Sequence, residues 1–366
     1  MNVLILANND IGLYSFRKEF LTRLIEDSCE LFVSLPKGDR CKDIEKLGCR
    51  VINTNIDRRG MNPVKDFSLF RTYRKLLRNI KPDVVLTYTV KPNVYGGLAC
   101  RLAHVPYIST VTGLGTSLEN PGLLQKLVVF LYLLGLKKAS AVMFQNSTNK
   151  ELFERLHIGR NHRLVSGSGV NLEQHCFEPY PTEDTPVRLT FVGRIMRDKG
   201  INELLEAAKT IKATHPDVQF DLIGGFDEAF QPIVEEAEVN GIVHYLGVQS
   251  EMHRFYKDCW AVVMPSYHEG ICNVCLEGAS TGRPLLASNV PGCMETFDDG
   301  VSGIGFDAKS VSALTEAIEI FLALPYAQKA AMGAAGRKKM EQEFDREQVV
   351  QAYLYQIKEA GKETKK

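Results

Sequence analysis

Residues 189–200 read L-T-F-V-G-R-I-M-R-D-K-G, and residues 269–277 read E-G-I-C-N-V-C-L-E. The first run begins as an apolar strand, Leu189–Val192, turns at Gly193 and resumes with helical periodicity from Ile201. A strand that passes through a glycine into a helix is one unit of a parallel α/β sheet. The second run follows another apolar strand, Ala261–Met264. It leaves through Pro265-Ser266-Tyr267-His268 and predicts a helix over Cys272–Thr281.

These two exits bring complementary chemistry. Arg194 offers a planar fork of donors and Lys199 a compact point charge, which together suit adjoining phosphate groups. A basic loop with a helix cap, Arg197 included, is the alternative reading. Gly270 permits close backbone approach, and the amides after it stand at a helix N-terminus, where an anion is favoured. Glu269 projects from the loop, while Glu277 lies inside the helix among Val274, Leu276 and Ala279, a setting that calls for a partner or a ligand. Eight residues at helical rise span about 12 Å. That would place one carboxylate at a sugar and the other at a ribose, with cations on the diphosphate between them.

Outward from these runs, strand and helix patterns alternate along the whole chain. Strands are predicted at Val3–Ala7, Leu31–Leu35, Arg50–Asn53, Val84–Thr87, Tyr107–Val111, Ala141–Gln145 and Arg163–Ser166. They resume at Leu189–Val192, Gln219–Ile223, Val243–Leu246, Ala261–Met264, Leu285–Ser288 and Gly303–Phe306. Strands rich in Val, Ile and Leu argue for parallel sheets covered on both faces. Between the two sets, residues 177–187 (F-E-P-Y-P-T-E-D-T-P-V) hold three prolines and read as a linker. The expected organisation is α/β: an N-terminal Rossmann-like domain over 1–176, the linker 177–187, a second Rossmann-like domain over 188–344, and a final helix over 345–366 crossing back to the first domain. Two doubly wound parallel-sheet domains facing across a cleft would hold a ligand at the carboxyl ends of their strands.

At 366 residues the chain exceeds a single core, and two domains are the prior. Its net charge is zero, yet residues 1–180 carry 25 Lys+Arg against 16 Asp+Glu and the remainder 19 against 28. Such asymmetry is either an ordinary surface or a first half that faces something anionic. Nine cysteines without regular spacing, and a Met1 that runs straight into a strand, predict free thiols in a reducing cytoplasm. Cys272 and Cys275 form a lone C-x-x-C without a second pair to complete a zinc site, and small buried side chains account for them better.

The G-R-x4-K-G run and the E-x7-E loop are the two signatures of glycosyltransferase family 4, retaining nucleotide-sugar transferases of the GT-B fold, and the chain resembles that family over nearly its full length. Tyr88-Thr89-Val90-Lys91-Pro92-Asn93 with Tyr95-Gly96-Gly97, and Thr112-Gly113-Leu114-Gly115, look most like bacterial enzymes of capsule, O-antigen and lipid-linked oligosaccharide assembly. The resemblance implies that Arg194 and Lys199 hold the diphosphate beside Gly193 and that Glu269 binds the transferred sugar. It implies amide contacts from Gly270, Ile271, Cys272, Asn273 and Val274, and a ribose contact from Glu277. Gly12, in the turn Asn8-Asn9-Asp10-Ile11-Gly12, is a further donor-side candidate, although many members carry two glycines there. That turn lacks G-x-G-x-x-G, so a dinucleotide-binding enzyme has little support.

The donor is expected to be UDP-linked by likeness alone, and no metal or other cofactor is expected, since no D-x-D occurs in the chain. The acceptor is expected to be a polyprenyl-linked glycan, met by the first domain at the cytoplasmic face of the membrane; no nucleic-acid partner is implied. Acceptor-side candidates are Tyr88, Lys91, Asn93, Thr112 and Gly113. Arg58, Arg59, Lys65, Arg71, Arg74, Lys75, Arg78 and Lys81 gather in one stretch, with 71, 74, 75 and 78 on one helix face. They form either a solvated face or a contact for anionic lipid. Leu123–Lys138 is too short and too interrupted by lysine to span a bilayer and reads as a largely buried helix, with or without one edge dipping into lipid. Two rivals remain at this stage: a GT-B epimerase or hydrolase, for which no acid/base pair can be named, and a nucleotide-sugar-binding protein without turnover.

Overall fold

The computed structural model describes residues 1–57, 60, 62–113, 122–227 and 229–363. Arg58, Arg59, Leu114 and Gly115 lie outside the described residues. The chain forms two compact units, one of residues 1–168 together with those from Glu347 onward, the other of Gly169–Arg346. The first boundary falls at 168/169, ahead of the expected 176/177. Residues 177–187, read as a linker, belong to the body of the second unit. A cluster of prolines signals irregular backbone, but irregular backbone can be held tightly, and here it is.

The first unit is a seven-stranded parallel sheet of β1 (Asn2–Leu6), β2 (Glu30–Leu35), β3 (Arg50–Asn53), β4 (Val84–Tyr88), β5 (Tyr107–Val111), β6 (Ala141–Phe144) and β7 (His162–Leu164), in the order β3-β2-β1-β4-β5-β6-β7. The central strands β4, β5 and β6 are buried along their whole length, as expected of a sheet covered on both faces. Val349, Val350, Tyr353, Leu354 and Ile357 of the helix Arg346–Glu363 complete the core on one face. Tyr353 shares a 2.8 Å hydrogen bond with Thr110 and packs on Phe20 at 5.3 Å between ring centroids.

Two local features of the first unit concern its connections. A short helix, Cys41–Lys46, lies between β2 and β3. Between β4 and β5 a π-helical turn, Pro92–Gly96, runs into an α-helix, Gly97–Ala103. Gly97 meets Gly135 of the helix Leu123–Leu136 so closely that a Cβ on Gly97 would sit 2.3 Å from the Gly135 carbonyl oxygen. The tandem glycine therefore serves helix-to-helix packing.

The second unit is a six-stranded parallel sheet of β8 (Arg188–Val192), β9 (Gln219–Ile223), β10 (His244–Tyr245), β11 (Ala261–Met264), β12 (Leu285–Ser288) and β13 (Gly303–Phe306), ordered β10-β9-β8-β11-β12-β13. In both sheets the strand order reverses once, between β1 and β4 and between β8 and β11. Open parallel sheets bind ligands at that reversal, outside the carboxyl ends of the strands.

Candidate active site

Both signature loops leave the reversal point of the second unit. Residues 193–200 follow β8 and residues 265–272 follow its neighbour β11. The loops are fixed to one another. Tyr267 N–H donates to the Asp198 carbonyl at 2.9 Å. Gly200, at φ 72°, lies so close to Pro265 that a Cβ would stand 2.1 Å from its carbonyl oxygen. Only glycine fits both the left-handed backbone and the approach, so Lys199 is held against the second loop.

The Lys199 ammonium pairs with Glu269 Oε1, and the Ser266 hydroxyl donates to the same oxygen at 2.9 Å. Burial works against the charge on Lys199, but the Glu269 carboxylate, with a lesser contribution from Cys272, outweighs it and holds the lysine above its usual pKa. The proton therefore stays on Nζ. Burial lifts the Glu269 carboxyl and Lys199 draws it back. Arg194 pairs instead with Asp227, beyond the end of β9, and its side chain remains 55% exposed. A bound anion could recruit that guanidinium by displacing Asp227 without any burial cost.

Glu277 stands in the second turn of the helix Asn273–Ser280. Tyr256 O–H donates to its Oε2 at 2.8 Å, and His175 Nε2 lies 4.0 Å from Oε1. Burial pushes its pKa up to about 7, against the Tyr256 hydrogen bond and the charge of Arg346. Of the amides expected to face a ligand, that of Cys272 is committed elsewhere, donating to the Gly292 carbonyl at 2.7 Å. Asn273 and Val274 open the helix, whose first-turn N–H groups lack intrahelical acceptors. Asn273 Oδ1 is enclosed with no hydrogen-bond partner among the described residues. Ile271, Cys272 and Cys275 are core side chains, and both cysteines are free.

In the first unit, Asn93 is 0% exposed. It accepts from the Thr87 hydroxyl at 2.7 Å and donates to the Thr110 carbonyl at 2.8 Å, tying β4 to β5. Lys91 is paired with Asp66 at 2.6 Å, and Tyr95 O–H donates to the other Asp66 oxygen at 2.9 Å. Tyr88 is buried beneath the Arg17 guanidinium, 5.5 Å from its ring centroid. Thr112 and Gly113 follow β5, half-buried. Gly12 lies in the first turn of the helix Asp10–Glu26, where its N–H donates to the capping Asn9 side chain at 2.9 Å.

Four residues that matter were not singled out by sequence reasoning. Asp227 and Tyr256 engage Arg194 and Glu277 from distant stretches. Thr89, at the exit of β4, has φ 74° and an enclosed hydroxyl with no partner among the described residues; a β-branched residue in that region is strained by roughly 1–3 kcal/mol. Arg283 is 0% exposed, its guanidinium bonded to the carbonyls of Tyr256, Lys257, Glu178, Pro179, Thr281 and Gly282.

Residues 175–339 match the family described as Glycosyl transferases group 1, and residues 2–146 match Glycosyl transferase 4-like. The chain belongs to this glycosyltransferase family. The glycosyltransferase is 29% identical to the N,N'-diacetylbacillosaminyl-diphospho-undecaprenol alpha-1,3-N-acetylgalactosaminyltransferase of Campylobacter jejuni, over 97% of each chain. It is 26% identical to the UDP-Gal:alpha-D-GlcNAc-diphosphoundecaprenol alpha-1,3-galactosyltransferase of Escherichia coli, over 64% of this chain and 65% of that one. Among solved structures it is similar to HepE of Anabaena in complex with UDP and glucose, with a TM-score of 0.78 at 17% identity, over 98% of this chain and all of the other. That neighbour shares the two-sheet GT-B architecture. In the glycosyltransferase, then, a half-buried ammonium, a carboxylate touching it and a second carboxylate whose pKa burial raises stand at the reversal of one sheet.

Proposed function

We propose that the glycosyltransferase moves a hexose or N-acetylhexosamine from a UDP-sugar to a polyprenyl-diphosphate-linked glycan, with retention at the anomeric carbon and no metal ion in the transfer step. The observation that carries this reading is the Lys199–Glu269 pair at the β8–β11 reversal, with Glu277 on the helix that follows. The names of the Campylobacter jejuni and Escherichia coli relatives, both of which act on diphospho-undecaprenol-linked substrates, support the acceptor class. The Escherichia coli name supports a UDP-linked donor.

In the proposed reaction the bond from sugar C1 to the diphosphate oxygen breaks, and its electron pair leaves with UDP. An acceptor hydroxyl oxygen bonds C1 from the same face, and its proton passes to the departing diphosphate. Lys199 and Arg194 stabilise the charge that develops on the leaving oxygen, as preorganised cations do in a water-poor site. Glu269 accepts from sugar hydroxyls and Glu277 from the ribose.

A peripheral membrane position belongs to the same proposal. On the helix Leu123–Leu136, the exposed residues Leu123, Leu127 and Phe130 recur at helical spacing. On the helix Pro63–Ile80, exposed Val64 and Phe67 precede the exposed cations Arg71, Arg74, Lys75 and Arg78. Both helices pack on the turn Pro92–Gly96. Apolar side chains flanked by cations suit an anionic interface. Among the described residues no helix is long and apolar enough to cross a membrane.

The deciding experiment incubates the enzyme with a panel of UDP-sugars, with and without a polyprenyl-diphosphate-linked glycan, and measures UDP release and the anomeric configuration of the product. Release that depends on the acceptor, with an unchanged anomer, is expected. Equal release without acceptor would make the protein a hydrolase, and an inverted product would remove the retaining mechanism.

A further inference from the structure

We propose that Cys176, Glu178 and His253 form a binding site for one zinc-class divalent cation. Their ligand atoms converge from two separate segments of the second unit: Cys176 Sγ lies 3.5 Å from His253 Nε2 and 3.9 Å from Glu178 Oε1, and His253 Nε2 lies 3.1 Å from Glu178 Oε1. Around a tetrahedral zinc, with Zn–S near 2.3 Å and Zn–N and Zn–O near 2.0–2.2 Å, the S···N and S···O edges come to about 3.6 Å and the N···O edge to about 3.4 Å. Each observed edge is within about 0.3 Å of those lengths. The three atoms already occupy three corners of a zinc-sized tetrahedron, and the fourth corner is left for water.

The ligand set selects the metal. One thiolate, one imidazole and one carboxylate suit zinc and its neighbours, whereas magnesium and calcium require oxygen throughout. Cys176 is exposed, so a hydrated cation can reach the site. A cation at this position would replace the hydrogen bonds that His253 and Cys176 make to Glu178 Oε1, and the Cys176 thiol would lose its proton on binding.

The site is also braced. Lys257 Nζ lies 3.4 Å from Glu178 Oε2, the oxygen that faces away from the other two ligands. Arg283 donates both to the Glu178 and Pro179 carbonyls and to the Tyr256 and Lys257 carbonyls of the helix His253–Asp258. One buried guanidinium thus fixes the two segments that supply the ligands, the outer-shell support a metal site needs. The helix bearing His253 also bears Tyr256, which holds Glu277, so the cation would clip residues 176–178 to the element that positions the proposed ribose carboxylate.

The test uses the full chain, purified without metal. Titration with Co(II) should give one equivalent bound, with a thiolate-to-cobalt charge-transfer band and the intense visible absorption of a tetrahedral site. Cys176→Ser should lose the charge-transfer band, and His253→Ala should weaken binding at least tenfold. Zn(II) should raise the thermal midpoint of the parent and leave both variants unmoved. In the unmutated protein, Zn(II) should also slow alkylation of Cys176, followed by mass spectrometry, which keeps the test informative if a variant misfolds. A band that persists in Cys176→Ser, or alkylation of Cys176 at the same rate with and without zinc, would overturn the proposal.

Discussion

Lys199 and Glu269, 70 residues apart in sequence, are joined as an ion pair where β8 and β11 end side by side. The carboxylate holds the lysine charged and fixes its direction; on the proposed function, a sugar hydroxyl would bind at that carboxylate.

Lys199→Ala should lower turnover by about 10²- to 10³-fold, the usual loss when one preorganised electrostatic group is removed from a leaving oxygen. The KM for the nucleotide sugar should change much less. Steady-state kinetics over a donor range would decide it, and parental turnover in the variant would end the electrostatic assignment.

Gly200→Ala should act on the same lysine indirectly. The added methyl meets the Pro265 carbonyl at 2.1 Å with the backbone at φ 72°, a strain of at least about 1–3 kcal/mol before any clash is counted. Lower stability and lower turnover should appear together. An unchanged midpoint in urea would show that the two loops are not locked as described.

Glu277 supplies a pH signature. Its folded pKa is raised to about 7 from an ordinary 4.5, chiefly by burial. The folded state therefore holds the proton more tightly, and the contribution is fully present below about 4.5 and lost as pH rises through 7. Stability should fall across that window by up to about 3 kcal/mol, and Glu277→Gln should flatten the fall. Urea unfolding of both proteins at pH 5 and pH 8 measures the difference. On the proposed function, UDP binding near pH 6 should release protons, seen by calorimetry in two buffers of different ionisation enthalpy.

Arg283→Met should destabilise the second unit by about 3–5 kcal/mol, because six carbonyls would lose a buried charged donor together. Arg283→Lys cannot reproduce the fork and should recover little of it. Near-parental stability in either variant would contradict this account of the segment 178–179.

If the exposed apolar edges meet lipid, Phe67→Glu combined with Phe130→Glu should reduce binding to anionic vesicles by at least tenfold. The fold should be unaffected, since both side chains face solvent. Sedimentation with vesicles of defined composition reads the effect, and equal binding by parent and variant would remove the membrane assignment.

Much of the architecture was legible from short apolar runs. The strands at 107–111, 261–264 and 285–288 fall where Val, Ile and Leu predict them, because parallel strands buried on both faces need continuous apolar runs. Lys199 and Glu269 were legible because the loops that carry them follow strands directly. Asp227 was not: its meeting with Arg194 depends on β9 lying beside β8, a neighbour relation that appears only once the strand order is known. Arg283 was not either, since nothing in the run T-G-R-P reveals the carbonyl cage around it. The boundary at 168/169 was missed for a similar reason, because prolines mark where backbone is irregular and not where packing ends.

The second unit is one continuous stretch whose two ends meet, with Val170 and Arg346 bonded backbone to backbone at 3.1 Å. The first unit is interrupted, and part of its core is supplied by Val349, Tyr353 and Ile357. During synthesis the earlier unit therefore keeps an open apolar face until the helix Arg346–Glu363 has been made. The half of the molecule made first cannot close its core until the half made second exists.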